Sequence, residues 1–191
     1  MKVTVGISAH HLHVTKEDLE ILFGKGHELT VHKKINQPGQ YASTDFVTIR
    51  TEKSVLAHVR ILWPVRKYTQ VELSKTDYIK LGLDAPVRES GDVKGSAKVT
   101  IIGPKGMIER DAGIIATRHI HVPEEDAKKL GLENVPYVSV RVPGQKGGVM
   151  YHVSVRVAPN SYYEMHIDTD DANAFQIKNG EELEIYKDIT E

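Results

Sequence analysis

The chain has 191 residues, 40 % of them hydrophobic and none of them Cys, with 25 Lys and Arg against 26 Asp and Glu for a net charge of −1. That length and apolar content suit one domain or two small intertwined ones around a packed core. The balanced charge gives no nucleic-acid or membrane signature and no apolar run approaches the ~20 residues of a membrane helix. The lack of Cys excludes disulfides, thiolate metal sites and a cysteine acyl-enzyme, in keeping with a reducing cytosol.

In chain order, apolar alternation predicts strands over residues 2–7, 28–35, 46–51, 55–62, 70–73, 98–102, 114–117, 137–142, 149–157, 163–167 and 182–186. The motif VSVRV occurs twice with PGQKGG near the turn between the copies, which predicts a hairpin. Helices are few and brief, over residues 15–23, 76–81, 123–130 and 170–175, with Gly82 and Gly131 as C-terminal stops. Thr15 with Asp18 reads as a capping box, and Pro123 as the first helical residue ahead of Glu124, Glu125 and Asp126. The Gly-rich stretch RESGDVKGS, residues 88–96, reads as a loop between two halves. Strands at this density with helices at the corners predict β-barrels, one per half.

The halves are related by repeats. HLHVTKED, starting at His11, returns as HIHVPEED, starting at His119. Two imidazoles at i and i+2 on an extended segment project to the same side, where both can reach one metal ion, so two pairs predict two metals. A fainter repeat follows, in which residues 59–77 align without gaps on 153–171 and place Glu72 opposite His166. Each half thus offers His-x-His and one further donor: His11, His13 and Glu72, then His119, His121 and His166. Three protein donors with an open position is the pattern of a catalytic zinc. Glu17 and Glu125 read as helix-dipole partners and not as ligands. The same alignment sets Arg66, six residues before Glu72, against the uncharged Asn160. The loop GPKG, residues 103–106, and the basic residues Lys53, Arg60, Arg66 and Lys67 are candidates for holding phosphate, Arg being the better bidentate clamp.

HLHV, QPGQYA, RILWPVRKYTQVELSKTD, PVRESGDVKGS, RHIHVPEEDA and EMHIDTDDANA together resemble the phosphate propanoyltransferase family, whose members move an acyl group between coenzyme A and inorganic phosphate. The resemblance covers nearly the whole chain in order. It implies a mainly β fold of two pseudo-symmetric β-barrels with short capping helices and a dinuclear zinc site between them. Residues 1–9 with 117–191 would form one barrel and residues 10–116 the other. It makes His11, His13 and Glu72 the ligands of one zinc, and His119, His121 and His166 those of the second. It makes Arg66 the catalytic phosphate-binding arginine, and Ile7, Ser8, Ala9, Lys53, Arg60 and Asn173 coenzyme A contacts. His10 stands where the family usually has Arg, and Trp63 where it usually has Gly; both lie beside the site, so the resemblance does not fix acyl-chain preference or coenzyme A affinity, while the ligand sets are intact.

The implied reaction is direct attack of phosphate on a propanoyl or acetyl thioester, with two Zn(2+) per chain and coenzyme A as substrate. Ser8 reads as a strand-end hydroxyl and not a nucleophile. A dinuclear zinc hydrolase using water is the alternative, as is a cupin-like metal-binding barrel suggested by His13, Glu17 and Gly24. The expected partners are acyl-CoA and phosphate, with no nucleic acid or membrane, in a homo-oligomer for which a dimer is favoured. The chain begins directly at its first strand, without the extension that directs relatives into microcompartments, so the cytoplasm is the expected location.

Overall fold

Most apolar residues of this chain alternate with polar ones, so a packed core requires sheets that close on themselves, burying one face and leaving few edges. A computed structural model describes residues 1–187, which form fourteen strands and four short helices in two units. One unit, Met1–Ser8 with Thr117–Glu191, is discontinuous in sequence; the other, Ala9–Ala116, is continuous. Among the described residues no helix is long and apolar enough to cross a membrane.

The continuous unit contains β2 (His11–His13), α1 (Lys16–Phe23), β3 (Val31–Lys34), β4 (Tyr41–Arg50), β5 (Val55–Trp63), β6 (Gln70–Glu72), α2 (Lys75–Leu81), β7 (Val87–Arg88), β8 (Ala97–Ile102) and β9 (Met107–Ala116). Its strands close a ring in the order β9-β6-β2-β5-β4-β8, with β9·β6 and β2·β5 parallel and the other four pairs antiparallel. β3 and β7 are appended to β4 and β9. Leu12, Val14, Ile49, Val59, Ile61, Val71, Ile101 and Ile114 fill its core.

The discontinuous unit contains β1 (Lys2–Ser8), β10 (His119–Val122), α3 (Glu124–Leu130), β11 (Tyr137–Val142), β12 (Gly148–Val157), β13 (Glu164–Asp168), α4 (Thr169–Phe175) and β14 (Glu182–Lys187). It is a closed barrel in the order β1-β13-β10-β12-β11-β14. Its two parallel pairs, β1·β13 and β10·β12, fall at the same places in the ring as those of the continuous unit, and the rest are antiparallel. The expected mainly β architecture of two related barrels with capping helices is the one observed. The likeness reaches single backbone positions: His58 and His152, 94 residues apart, both adopt the left-handed region at φ 59° and 55°, uncommon for a residue with a Cβ.

Local chemistry sets the element ends. Thr15 caps α1, its hydroxyl accepting from the Asp18 N–H at 3.0 Å. The capping box is only half present, because the Asp18 carboxylate turns away to accept from Thr69 at 2.5 Å and from Arg110 at 2.5 and 3.2 Å. Pro123 sits at the cap of α3, one residue earlier than the sequence suggests, and offers no side-chain bond. Gly82 and Gly131 end α2 and α3 in the left-handed conformation, as expected. The strands β4 and β9 are longer than alternation predicts. A bulge between Ala42 and Phe46 breaks the period in β4, and the run Glu109-Arg110-Asp111 makes the first half of β9 look like a loop although it pairs with β8. Residues 88–96 do not link the two halves; they lie inside the continuous unit, ahead of β8.

Candidate metal centres and their surroundings

In each unit a three-residue or four-residue strand carries the His-x-His pair. Leu12 and Ile120, the residues between the imidazoles, are wholly buried in the two cores. Alternation then sends both flanking rings to the opposite side of each strand. The neighbouring strand supplies the third donor in the same register twice: His11 faces Glu72 on β6, and His119 faces His166 on β13. One donor atom from each of His11, His13 and Glu72 lies within 4.8 Å of the others, and the same holds for His119, His121 and His166.

In the continuous unit, His11 Nδ1–H donates to the Ala9 carbonyl at 2.9 Å, which fixes the tautomer and turns Nε2 toward Glu72 Oε2 at 3.5 Å. Glu72 Oε1 accepts from Gln70 Nε2 at 2.5 Å and from Ser90 Oγ at 3.0 Å, while Gln70 Oε1 accepts from the Gly91 N–H at 2.7 Å. Burial pushes the Glu72 carboxyl up, but the facing His11 and His13 rings and the Ser90 hydroxyl outweigh it and hold Glu72 well below the usual carboxylate range. Burial likewise pushes His11 down, and Glu72 more than reverses this, leaving His11 raised. His13 is held well below the ordinary imidazole value by burial, then by His11 and Arg66.

In the discontinuous unit, His119 Nδ1–H donates to the Thr117 carbonyl at 2.9 Å, repeating the His11 contact, and its Nε2 lies 3.1 Å from His121 Nε2. The three rings converge with centroids 4.8–5.2 Å apart. Burial and Arg156 hold His119 well below its ordinary value, and burial with His166 and Arg156 brings His121 down to about 4. With Nδ1–H given to a backbone carbonyl, His11 and His119 each turn Nε2 outward, and the donor chemistry of both sets fits a borderline divalent ion such as zinc: five imidazoles, one carboxylate and no sulfur.

Arg66 follows the turn after β5, where its backbone N–H donates to the Val14 carbonyl at 2.8 Å. Its half-buried guanidinium touches only neutral groups, Tyr68 Oη at 3.4 Å and Gln40 Oε1 at 3.5 Å, and its charge acts on both His11 and His13. No carboxylate pairs with it among the described residues. Trp63, beside this turn, packs edge-on against Tyr41 at 5.2 Å, and His10 lies 3.5 Å from Asp77.

The other sequence-selected residues are spread over both units. Ile7 N–H donates to Asn179 Oδ1 at 2.9 Å, Ser8 pairs with Asp168 in the β1·β13 ladder, and Asn173 is exposed on α4. Lys53 reaches the Ile79 carbonyl at 3.5 Å and lies against Gly82. Arg60 stacks on Phe46 at 4.2 Å and donates to the Ser43 carbonyl. The GPKG loop is a packing turn: Gly103 and Lys105 N–H groups donate to the Gly106 and Leu22 carbonyls at 2.9 Å, and a Cβ on Gly103 would meet Leu22 O at 2.4 Å. Those amides are engaged and do not cradle an anion.

Sequence reasoning passed over Gln70, Ser90, Glu164 and Gly6. The first and third carry a usable signal, since a polar residue two positions before a strand-borne donor shares its face.

A family model described as phosphate propanoyltransferase matches residues 4–178. The chain belongs to the phosphate propanoyltransferase family. It is 50 % identical over 181 residues to the phosphate propanoyltransferase of Lachnoclostridium phytofermentans, covering 94 % of this chain and 84 % of the relative. Against those of Rhodobacter capsulatus and Thermotoga maritima identity is 47 % over 178 residues and 45 % over 181, covering 93 % and 94 % of this chain and 83 % and 86 % of the relatives. The family is one of acyltransferases, and the two donor sets lie within the matched residues.

Proposed function

We propose that the chain is a zinc-dependent phosphate acyltransferase that moves a short acyl group, propanoyl or acetyl, between coenzyme A and inorganic phosphate. The observation that carries this reading is the Arg66 guanidinium, without a carboxylate partner among the described residues, acting on the His11 and His13 rings: a metal-donor set with a cationic fork for an anion beside it.

His11, His13 and Glu72 would hold one ion and His119, His121 and His166 another. A zinc so held supplies Lewis-acid polarisation of a thioester carbonyl. Arg66 binds phosphate through paired charge-assisted contacts and orients one oxygen toward the carbonyl carbon. The new P–O–C bond forms as the C–S bond breaks, the electron pair leaves on coenzyme A sulfur as thiolate, and the acyl phosphate departs. Ala9 and Thr117 carbonyls fix the tautomers of His11 and His119 throughout. The transfer is direct, in keeping with the lack of Cys in the chain and with Ser8 standing in a strand ladder. Ile7, Ser8, Ala9, Lys53, Arg60 and Asn173 are proposed to contact coenzyme A.

The test is thiol release from propanoyl-CoA or acetyl-CoA, followed with and without inorganic phosphate. Release that requires phosphate and yields acyl phosphate is the expected result. Equal release without phosphate would make the chain a thioester hydrolase using water.

A further inference from the structure

The two donor sets differ in one respect that the repeat makes legible. On β6 the residue facing His13 is Gln70 and the residue facing His11 is Glu72; on β13 the corresponding residues are Glu164, facing His121, and His166, facing His119. The pair reads Gln-x-Glu in one unit and Glu-x-His in the other. The carboxylate has moved two residues along the same strand face, from the donor position to the position behind it.

We propose that Glu164 is a positioning residue for the His119, His121 and His166 metal centre, orienting His166 and supplying through it the negative charge that Glu72 supplies directly to the other centre. This rests on the two-metal reading above. Glu164 is 5 % exposed, and its Oε2 accepts from His166 Nε2 at 2.8 Å. With Nε2 protonated by that contact, the lone pair of His166 lies on Nδ1. Three neutral imidazoles alone leave a divalent ion with its full charge in a buried site, and a carboxylate bonded to one of them offsets part of it and raises the basicity of that ring. Gln70 cannot do this, and beside the already anionic Glu72 it has no need to.

The first strand is shaped for this pair. Gly6 of β1 faces His166 in the parallel ladder. A Cβ at Gly6 would lie 3.0 Å from Glu164 Cδ, 3.1 Å from Glu164 Oε2 and 3.2 Å from His166 Cδ2. Those separations are tighter than ordinary van der Waals contact, and all three atoms belong to the part-buried hydrogen-bonded pair. A side chain at position 6 therefore requires the Glu164–His166 pair to give by a few tenths of an ångström.

The experiment measures zinc retained by the whole chain after equilibration with graded chelator, for wild type, Glu164→Gln, Glu164→Ala and Gly6→Ala. Wild type should retain two equivalents. Glu164→Gln, isosteric and able to accept the same hydrogen bond, should weaken one equivalent about 10–100-fold and leave the other as in wild type. Glu164→Ala and Gly6→Ala should weaken the same equivalent. With Co(2+) in place of zinc, the absorption bands of that one centre should shift in Glu164→Gln, a change that a merely structural residue would not cause. Far-UV circular dichroism confirms folding, and Gly6→Ala probes the pair from another strand should a Glu164 variant fail to fold. Two equivalents held at wild-type affinity in Glu164→Gln, or both weakened together, would overturn the proposal. One equivalent or none in wild type would overturn the two-metal reading and this proposal with it. Two zincs in a protein without phosphate-dependent thiol release would refute the acyltransferase mechanism and leave this proposal standing.

Discussion

Arg66→Ala separates phosphate transfer from hydrolysis most directly. In the fold the guanidinium makes two long contacts to neutral partners, Tyr68 at 3.4 Å and Gln40 at 3.5 Å, and its backbone N–H contact to Val14 survives substitution. At about 0.5–1.5 kcal/mol for an ordinary hydrogen bond, and less at these lengths, the variant should lose no more than ~1 kcal/mol of stability. Its charge also acts against protonating His11 and His13, so removing it lessens repulsion toward a divalent ion and metal content should hold at the wild-type level. Two charge-assisted contacts to phosphate, at about 1.5–2 kcal/mol each, sum to ~3–4 kcal/mol and predict a loss of roughly 10²–10³-fold in phosphate-dependent rate. The assay is thiol release over a range of phosphate concentrations, with zinc content and the urea midpoint measured on the same preparation. Arg66→Lys should recover only part of the loss, since an ammonium cannot make the paired contact. A wild-type rate and phosphate affinity in the alanine variant, with its metal bound, would remove Arg66 from the mechanism.

Chelator-treated protein should become less stable as pH falls. His121, depressed to about 4, binds its proton in the unfolded chain first, so its contribution is complete above ~6.5 and is lost between about 6.5 and 4, on the order of 3 kcal/mol, readable as a falling urea midpoint; a flat profile over that window refutes it. Arg110→Ala leaves the buried Asp18 carboxylate with Thr69 as its remaining side-chain partner and should cost about 1–3 kcal/mol in chemical denaturation with little change in zinc content. Leu12→Ala and Ile120→Ala, at wholly buried positions between the paired imidazoles, should each cost about 2–5 kcal/mol, and calorimetry showing less than 1 would mean that these residues do not anchor the metal-binding strands.

The sequence made the donors legible because strand geometry is simple: residues two apart share a face, and a gapless repeat carries the third donor with it. His11, His13 and Glu72 gather as that rule requires, and so do His119, His121 and His166. The surroundings were less legible. Ser90 reaches Glu72 from a segment whose Gly-rich composition reads only as a loop, and Gly6 is set by the space between two side chains some 160 residues distant in sequence. Asp18 reads from sequence as half of a capping box with Thr15, because composition at a helix N-terminus cannot reveal Thr69 and Arg110 across the fold. The early part of β9 was missed for the converse reason: charged residues on an outward face look like a turn until a partner strand is seen.

The strand that opens the chain has consequences for synthesis. Val5 aligns with Met165 and Lys2 with Glu184, so β1 finds its neighbours only when β13 and β14 have been synthesised. At about 5–20 residues per second, the ~160 residues between Val5 and Met165 take on the order of ten seconds. The stretch Ala9–Ala116 holds all the partners of its own ring and is free to fold during that wait. KVTVGIS meanwhile stays an unpaired, β-prone heptad exposed to other nascent chains. Expression yield should therefore respond to charge introduced at the exposed Lys2 end of this heptad more than its small share of the sequence suggests, and a circular permutant that begins at Ala9 and joins β14 to β1 should shorten the delay.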